Sequence, residues 1–384
     1  MFLLREILFC APLILYAGFR IWKLIPQKRF KILFIFVYIL LVLAFPLAEK
    51  LSHDSGMGRA NFIMIVGYFS LPLLLYLMLF VIVLDLALGV ARLTGILSRE
   101  TVNHKRFRRA RLFLVLAVPV AVVVIGAVRN NNPKVREYSV EVPQKSSEIL
   151  QLKIAFASDF HFRETTNRRF MERFVEKVNA ANPDIVLIGG DVVEGDRQDE
   201  KLGEFAVQFR RLKPKYGVYG VPGNHDLHGV GATRFFDQAG IRLLQDGVER
   251  IDKAFYLVGR NDVRSRGRKS INELLRDCDG SLPVIVLEHR PTDLDNVSQS
   301  GADILLSGHT HNGQLFPVNF IVKRRYELIW GYKLKNRTHI FVTSGTQVWG
   351  PPVRTAGASE IVIVNVSFRC NNGDAVRSPR PISD

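Results

Sequence analysis

The chain has 384 residues, 48% of them hydrophobic, and a formal net charge of +16 at pH 7. Residues 1–149 carry +11 of that charge beside long apolar runs, whereas residues 150–384 carry only +5. Basic residues that cluster beside apolar segments are typical of membrane proteins, so nucleic acid is excluded as the expected partner. The three cysteines form neither a C-x-x-C metal motif nor a disulfide framework.

Four apolar segments occupy the first third of the chain, each close to the ~20 residues that a helix needs to cross a bilayer. They leave no polar face for solvent, which argues against the alternative of buried helices in a soluble protein. The sequence therefore predicts a four-helix transmembrane unit over residues 1–129. The segments are residues 7–22, 32–48, 62–84 and 112–128.

The loops between these segments differ in charge. Basic residues concentrate between the first and second segments and between the third and fourth, whereas the middle loop has few. Because basic loops stay in the cytoplasm, we expect a multi-pass protein of the cytoplasmic (inner) membrane with both termini outside. Arg108-Arg109 also resembles the start of an export signal, but no small-x-small cleavage site follows, so a retained anchor is expected.

One carboxylate lies at the edge of an apolar segment. Asp85 lies near the cytoplasmic end of the third segment, and we expect Arg92 to balance it at the membrane interface. The alternative is an ion path. The near absence of other intramembrane charges makes a transport role the weaker hypothesis.

The composition changes after the fourth segment. Residues 130–149 are predicted to be a linker, extended and partly strand-forming. Residues 150–370 have the composition of a soluble domain, and residues 371–384 are predicted to be a tail.

Within the soluble domain, short runs rich in β-branched residues end in residues able to bind metal. Helical stretches are predicted between several runs, at residues 168–180, 199–212 and 232–239. Alternating strands and helices indicate an α/β core, in which ligands bind beyond the carboxyl ends of the strands. The residues at the strand ends are Asp159, His161, Asp191, Asn224, His225, Asp226, His289, His309 and His311.

Each of these motifs taken alone has a structural explanation. Gly, Asn and Asp tolerate the backbone angles of tight loops, and His289 before Pro291 could be a surface residue. Two histidines spaced as His309-x-His311 project to the same side of a strand end, which is weak support for metal binding by itself. However, five of the nine histidines fall at predicted strand ends. We therefore interpret the motifs as one shared metal site.

The order of the motifs resembles the calcineurin-like metallophosphoesterase superfamily, and in detail its membrane-anchored or exported bacterial branch. The resemblance covers residues 153–314 strongly and continues weakly to residue 366. Asn312 replaces a glycine that is usual in that branch, which is a mild departure because Asn also adopts the left-handed conformation. The resemblance implies a four-layer α-β-β-α sandwich. Its motifs are Asp159-x-His161, Gly190-Asp191, Gly223-Asn224-His225-Asp226, His289 and Gly308-His309-Thr310-His311.

The resemblance also implies a ligand set for two divalent metal ions. One ion would take Asp159, His161 and His311, the other Asn224, His289 and His309, and Asp191 would bridge them. Such a donor set, without thiolates, suits Mn, Fe or Zn. A metal-bridging hydroxide would attack the phosphorus. His225 would protonate the leaving oxygen, and Asp226 would orient His225.

We therefore expect a phosphodiesterase or pyrophosphatase that acts at the outer face of the membrane. The stretch 316–335 has many aromatic and basic residues, and residues 264–269 form a second basic cluster. Both favour lipid-linked phosphoesters as substrates. Membrane lipids are the other expected partners. Solvated loops are the alternative interpretation of both stretches. The sequence assigns no oligomeric state.

Two alternative functions stay open. The first is hydrolysis of a nucleotide-linked lipid precursor such as UDP-diacylglucosamine, although such precursors are cytoplasmic and the predicted topology counts against it. The second is a membrane sensor or scaffold whose phosphoesterase fold only binds, against which the complete ligand set argues.

Overall fold

The computed structural model describes residues 2–54, 61–162, 166–194, 200–227 and 230–369. The chain divides into two compact units, Met1–Val128 with Gly350–Val353, and Arg129–Trp349 with Arg354–Asp384. The tail predicted at residues 371–384 lies outside the described residues.

The first unit is helical. Its long helices are dominated by aliphatic and aromatic residues, and one short helix stands between the third and the last. The helices are α1 Phe2–Leu24, α2 Lys28–Asp54, α3 Asn61–Leu93, α4 Arg99–Asn103 and α5 Lys105–Asn130.

Three of these helices are long and apolar enough to cross a membrane, judged over the part of the chain that the structure describes. The spans are Lys28–Lys50, Phe62–Leu93 and Lys105–Asn130. They correspond to the second, third and fourth predicted segments, whereas the first predicted segment falls in α1 and stays a prediction as a span. Apolar side chains such as Phe36 and Phe113 point outward, which is stable against lipid and costly in water.

The carboxylate of Asp85 on α3 contacts α1. It accepts hydrogen bonds from the Tyr16 hydroxyl at 2.8 Å and from Arg20 Nε at 2.6 Å. The expectation that Arg92 balances this carboxylate is wrong. Arg92 lies about two helical turns, or roughly 10 Å, further along α3, whereas Arg20 faces Asp85 from the neighbouring helix.

The second unit contains two mixed six-stranded sheets. The first sheet has the order β1-β12-β2-β3-β4-β5 and the second has the order β10-β11-β9-β8-β7-β6. The strands are β1 Lys134–Pro143, β2 Gln151–Ala157, β3 Ile185–Ile188, β4 Val218–Gly220, β5 Arg242–Leu243, β6 Gly247–Ile251, β7 Phe255–Gly259, β8 Val284–Leu287, β9 Ile304–Ser307, β10 Gly331–Lys335, β11 Thr338–Val342 and β12 Glu360–Arg369.

Helices cover the outer faces of both sheets. The longer helices pack on the first sheet through a cluster of phenylalanines that includes Phe162, Phe174, Phe205 and Phe235. The shorter α9 and α10 pack on the second sheet. The helices of this unit are α6 Arg168–Ala180, α7 Glu200–Phe209, α8 Val230–Ala239, α9 Ile271–Leu274, α10 Leu294–Gln299 and α11 Asn319–Val322.

A third apolar cluster lies between the sheets. It joins Phe156 and Leu187 of the first sheet to Leu257, Leu287 and Leu306 of the second. Strands β3, β8 and β9 are buried along their whole length, as expected of strands with both faces covered. The result is the predicted four-layer α-β-β-α arrangement.

The segment expected to link the two units contributes a strand. β1 pairs in parallel with β12 over ten residues, from Lys134 opposite Glu360 to Pro143 opposite Arg369. It forms an edge of the first sheet. The strand-forming part that we expected within residues 130–149 is therefore β1, a strand of the first sheet.

The strand directions place the functional loops. β2, β3 and β4 run parallel to one another in the first sheet, and β8 and β9 run parallel in the second. Each of these five strands is followed directly by one of the motifs that carry metal-binding residue types. The fold therefore gathers motifs from distant parts of the chain at the carboxyl ends of both sheets.

Candidate metal centre

All seven predicted metal-binding residues are described, and they lie on loops that follow five strands. Asp159 and His161 follow β2, Asp191 follows β3, and Asn224 follows β4. The remaining three, which follow β8 and β9, are His289, His309 and His311. Six of the seven are buried, and His309 is partly exposed.

One group of donor atoms comes from Asp159, His161 and His311. The Nε2 atoms of the two histidines are 3.1 Å apart. Asp159 Oδ1 lies 3.4 Å from His311 Nε2 and 3.8 Å from His161 Nε2. Three donor atoms from two strand ends thus point at one small volume.

A second group comes from Asp191, His289 and His309. His289 Nε2 lies 3.0 Å from Asp191 Oδ2 and 3.2 Å from His309 Nδ1. The same Asp191 oxygen is 3.9 Å from His161 Nε2 of the first group. The Asp191 carboxylate therefore stands between the two groups.

Asn224 completes the set of predicted residues. The backbone N–H of His225, the next residue, donates to Asp191 Oδ1 at 2.8 Å. The preceding residue is a glycine for a steric reason, since a Cβ at Gly223 would collide with the Asp191 carboxylate. The buried Oδ1 of Asn224 has no hydrogen-bond partner among the described residues. A buried amide oxygen without a partner is costly unless a ligand satisfies it.

The spacing of the donor atoms fits metal coordination. Ligand bonds of about 2.0–2.1 Å place two donors on one ion about 3.0–3.4 Å apart, and the shorter separations in both groups lie in that range. Carboxylate, amide and imidazole donors without thiolates are the chemistry of catalytic divalent ions. The clusters are therefore suited to metal binding.

The hydrogen bonds of two histidines fix which nitrogen faces the centre. His289 Nδ1 donates to the carbonyl of Gly189 at 2.7 Å, so its Nε2 is directed at Asp191. His161 Nδ1 lies 2.6 Å from Glu194 Oε1, which leaves its Nε2 for the first group. Partners of this kind orient metal-binding imidazoles.

The backbone at the site is strained. Five of the seven residues are non-glycine residues with a positive φ, a conformation that costs of order 1 kcal/mol or more each and that clusters at functional sites. The φ angles are 59° for Asp159, 43° for His161, 51° for Asp191, 70° for His309 and 49° for His311.

Electrostatics couple Asp191 and His289. Burial alone would lower the pKa of His289, but the charge of Asp191 and its hydrogen bond outweigh burial and raise that pKa to about 10. Burial alone would raise the pKa of Asp191, and His289 outweighs it and holds that pKa well below its usual range. The carboxylate thus attracts positive charge, and a divalent ion would compete with the proton on His289.

The two histidines of the His-x-His motif, His309 and His311, are held neutral. Burial, and then the positive charge of His289, lowers the pKa of His309 to about 2. Burial, and then His161, lowers the pKa of His311 well below its usual value. A neutral imidazole is the form that binds metal.

The structure assigns the orientation of His225 to a residue that the sequence did not single out. His225 Nδ1 lies 3.0 Å from Glu194 Oε2, and Glu194 also contacts His161. The buried Asp226 carboxylate accepts hydrogen bonds from the backbone N–H groups of Val192, Val193 and Gly223 instead. The contact with the His225 imidazole that the sequence predicted for Asp226 is therefore made by Glu194 instead.

The reason lies in the backbone geometry. Asp226 is occupied by three backbone donors and joins the loops after β3 and β4. Burial, and then the charge of Asp191, raises the pKa of Asp226 to about 6. No spacing rule could reveal Glu194, because it acts from a different loop.

Buried arginines form hydrogen bonds in and beside the loops that carry the predicted metal-binding residues. Arg354 donates from Nη1 to the His311 carbonyl at 3.1 Å and from Nη2 to the Gln347 carbonyl at 2.6 Å. Glu288, next to His289, accepts from Arg260 at 2.7 Å and from Arg268 at 2.8 Å. Arg268 belongs to the basic cluster 264–269, so this part of the cluster is structural.

Comparison with known proteins agrees with the geometry. Residues 152–313, which include all seven predicted ligands, match the family described as calcineurin-like phosphoesterase. This region is a calcineurin-like metallophosphoesterase domain. The resemblance inferred from the motifs is thereby confirmed.

Similar proteins extend the match beyond the metallophosphoesterase domain. The chain is 28% identical to the transmembrane protein with metallophosphoesterase domain of Danio rerio, with 94% of this chain and 89% of that protein covered. It is 34% identical to an uncharacterized metallophosphoesterase of Helicobacter pylori, covering 61% of this chain and 64% of that protein. An uncharacterized metallophosphoesterase of Campylobacter jejuni is 26% identical, with 90% of this chain and 92% of that protein covered. The protein is therefore a metal-dependent phosphoester hydrolase.

We predict that Glu194→Ala lowers kcat/KM for an aryl phosphodiester by about 10- to 100-fold, as expected when the partner of a metal-binding histidine is removed. Glu194→Asp should retain most of the activity, because a carboxylate still reaches the two imidazoles. Steady-state kinetics on the purified full chain checks this.

Glu204→Ala is the matched control, since it removes an exposed carboxylate from α7. Equal losses in Glu194→Ala and Glu204→Ala, or full activity of Glu194→Ala, would contradict the role of Glu194.

Proposed function

We propose that the seven residues hold two divalent metal ions. Asp159, His161 and His311 would bind one ion. The ligands of the other would be Asn224, His289 and His309. The observation that carries this proposal is the position of Asp191, whose Oδ2 lies 3.0 Å from His289 Nε2 and 3.9 Å from His161 Nε2.

Bound divalent ions of the Mn, Fe or Zn type would supply positive charge for the phosphoryl oxygens and lower the pKa of water. The protein contributes imidazole, carboxylate and amide donors at fixed spacing. The buried Glu288–Arg260 pair and Arg354 hold the loops in the strained conformations that this spacing needs.

His225 is the proposed proton donor to the leaving oxygen. Burial lowers its pKa, but the hydrogen bond and charge of Glu194 outweigh burial and raise it. Because Nδ1 faces Glu194, the opposite nitrogen, Nε2, is the atom available to donate a proton. Asp226 acts by holding the loops on either side of His225.

The substrate that we propose is a phosphodiester or pyrophosphate linked to a lipid. Phe316, Phe320 and Ile321 are more than half exposed, and the basic residues 323–325 follow them. Tyr326 ends this stretch with its ring 6.0 Å from that of His309. We call residues 316–326 the aromatic–basic segment. Exposed apolar and basic side chains together favour contact with anionic lipid.

The charge distribution supports a location for this activity. The basic loops on the membrane unit belong in the cytoplasm, and four spans would then place the metallophosphoesterase domain outside the cytoplasmic membrane. Tethering by the spans raises the effective concentration of lipid-linked substrates.

We predict that the purified full chain binds about two Mn²⁺ per protein. Asp191→Asn should lose metal, because it removes negative charge shared by both proposed sites. The variant should also lower the rate of aryl phosphodiester hydrolysis by at least about 1,000-fold. Metal analysis and kinetics check this. Asp277→Asn, at an exposed position in a short 3-10 helix, should match the unaltered protein. Metal binding without hydrolysis of any phosphoester by the unaltered protein would favour a sensor instead.

We predict that protease added to intact cells cleaves within residues 150–384, because the proposed topology exposes this domain outside the cytoplasmic membrane. In inside-out vesicles the same domain should be protected. The reverse pattern would refute the outer location and favour cytoplasmic precursors such as UDP-diacylglucosamine as substrates.

We predict that Phe316→Ser with Phe320→Ser raises KM for a phospholipid substrate in anionic vesicles by roughly 10-fold, because two apolar anchors are lost. Hydrolysis of a soluble aryl phosphodiester should change less than about twofold. Val207→Ser, an exposed apolar residue on α7, is the control. Equal changes on both substrates would contradict a lipid-directed role of the segment.

A further inference from the structure

A cavity of about 490 Å³ lies among the helix ends of the membrane unit. The last turn of α1, the last third of α3, the end of α4 and the first three turns of α5 form its walls. No predicted metal ligand belongs to it. Its charged lining residues are Arg20, Lys23, Asp85, Arg92, Arg108 and Arg111.

The charges in this cavity do not balance. Five cations face one carboxylate, and that carboxylate is taken by Arg20 together with Tyr16. Among the described residues, no carboxylate lies within ion-pair distance of Lys23 or Arg92, and the same is true of Arg108 and Arg111. A concave site with four uncompensated cations focuses a positive potential that attracts anions.

Two of the cations carry unused donors. The Nε atoms of Arg108 and Arg111 are buried and have no hydrogen-bond partner among the described residues. Arg111 is fixed in place because its Nη2 donates to the Val102 carbonyl at 3.2 Å. A buried N–H without an acceptor is costly, and phosphate oxygens are strong acceptors for guanidinium donors.

The rest of the cavity wall is apolar. Val81 and Leu84 of α3 and Val115 of α5 line it, and these residues belong to the spans that are able to cross a membrane. Close by in the chain, Lys31 sits 4.0 Å above the ring of Trp22, and tryptophan is typical of the membrane–water interface. The cavity thus joins cations near the helix ends to apolar side chains about one turn further into the candidate spans.

We propose that this cavity binds the phosphate headgroup of an anionic phospholipid, with Arg108 and Arg111 as its principal donors. A soluble phosphate would satisfy the same donors. The apolar wall favours the lipid, because only a lipid brings acyl chains to that surface. Basic pockets between transmembrane helices are a general form of lipid recognition. The inference does not depend on the proposed hydrolysis.

The test uses the full chain in micelles that contain equal amounts of phosphatidylglycerol and phosphatidylcholine. Native mass spectrometry should show retained phosphatidylglycerol and little phosphatidylcholine. Arg108→Gln with Arg111→Gln should weaken the retention roughly 10- to 30-fold. Arg106→Gln with Arg109→Gln should leave it nearly unchanged, since this pair removes the same charge from exposed positions on the same helix.

Three results would overturn the proposal. The first is equal retention of both lipids, and the second is an equal loss of phosphatidylglycerol retention in both double variants. The third is displacement of the lipid by glycerol 3-phosphate or inorganic phosphate at matching concentrations, which would identify a soluble anion as the ligand. Monodispersity and unchanged hydrolysis of an aryl phosphodiester show that each variant is folded. Should the Arg108/Arg111 pair fail that check, Lys23→Gln with Arg92→Gln at the exposed mouth should still lower retention about tenfold, and no change there would refute the site.

Discussion

The buried carboxylate of Asp191 is the group around which the candidate metal-binding residues are arranged. It lies between two clusters of imidazoles, and a buried charge is stable only when positive charge and hydrogen-bond donors surround it. The protein meets this need with His289 Nε2 at 3.0 Å and the His225 backbone N–H at 2.8 Å. The glycine at position 223 keeps the neighbouring loop close to the carboxylate. Those same contacts bring the two ligand groups within reach of one shared oxygen.

The sequence was sufficient to predict the fold class and the set of residues that the fold brings together. Buried parallel strands appear as unbroken apolar runs such as 185–188 and 284–287, and the polar residues that follow such runs must lie at one edge of a sheet. The contacts around those residues could not be predicted in the same way. Glu194 and Arg354 reach the site from loops whose paths depend on packing, and the partners of Asp226 are backbone N–H groups that no side-chain pattern indicates.

Hydropathy predicted which segments are long and apolar enough to span a membrane, but not which faces of these helices contact each other. Three of the four predicted segments coincide with helices able to cross a membrane, because length and apolar content alone decide that property. The partner of Asp85 depends on how α1 and α3 rotate against each other, and side-chain packing sets that rotation. The sequence therefore placed Asp85 beside Arg92 of its own helix, whereas Arg20 of α1 binds it. The cavity lined by Arg108 and Arg111 could not be predicted from the sequence for the same reason, because it too depends on how the helices pack.

The proposed hydrolysis requires that Asp191 contact two metal ions. Anomalous diffraction from crystals of the full chain grown with Mn²⁺ measures this directly. We expect two peaks flanking the Asp191 carboxylate, one beside Asp159, His161 and His311 and the other beside Asn224, His289 and His309. A single peak, or peaks that leave Asp191 without metal contact, would contradict this expectation.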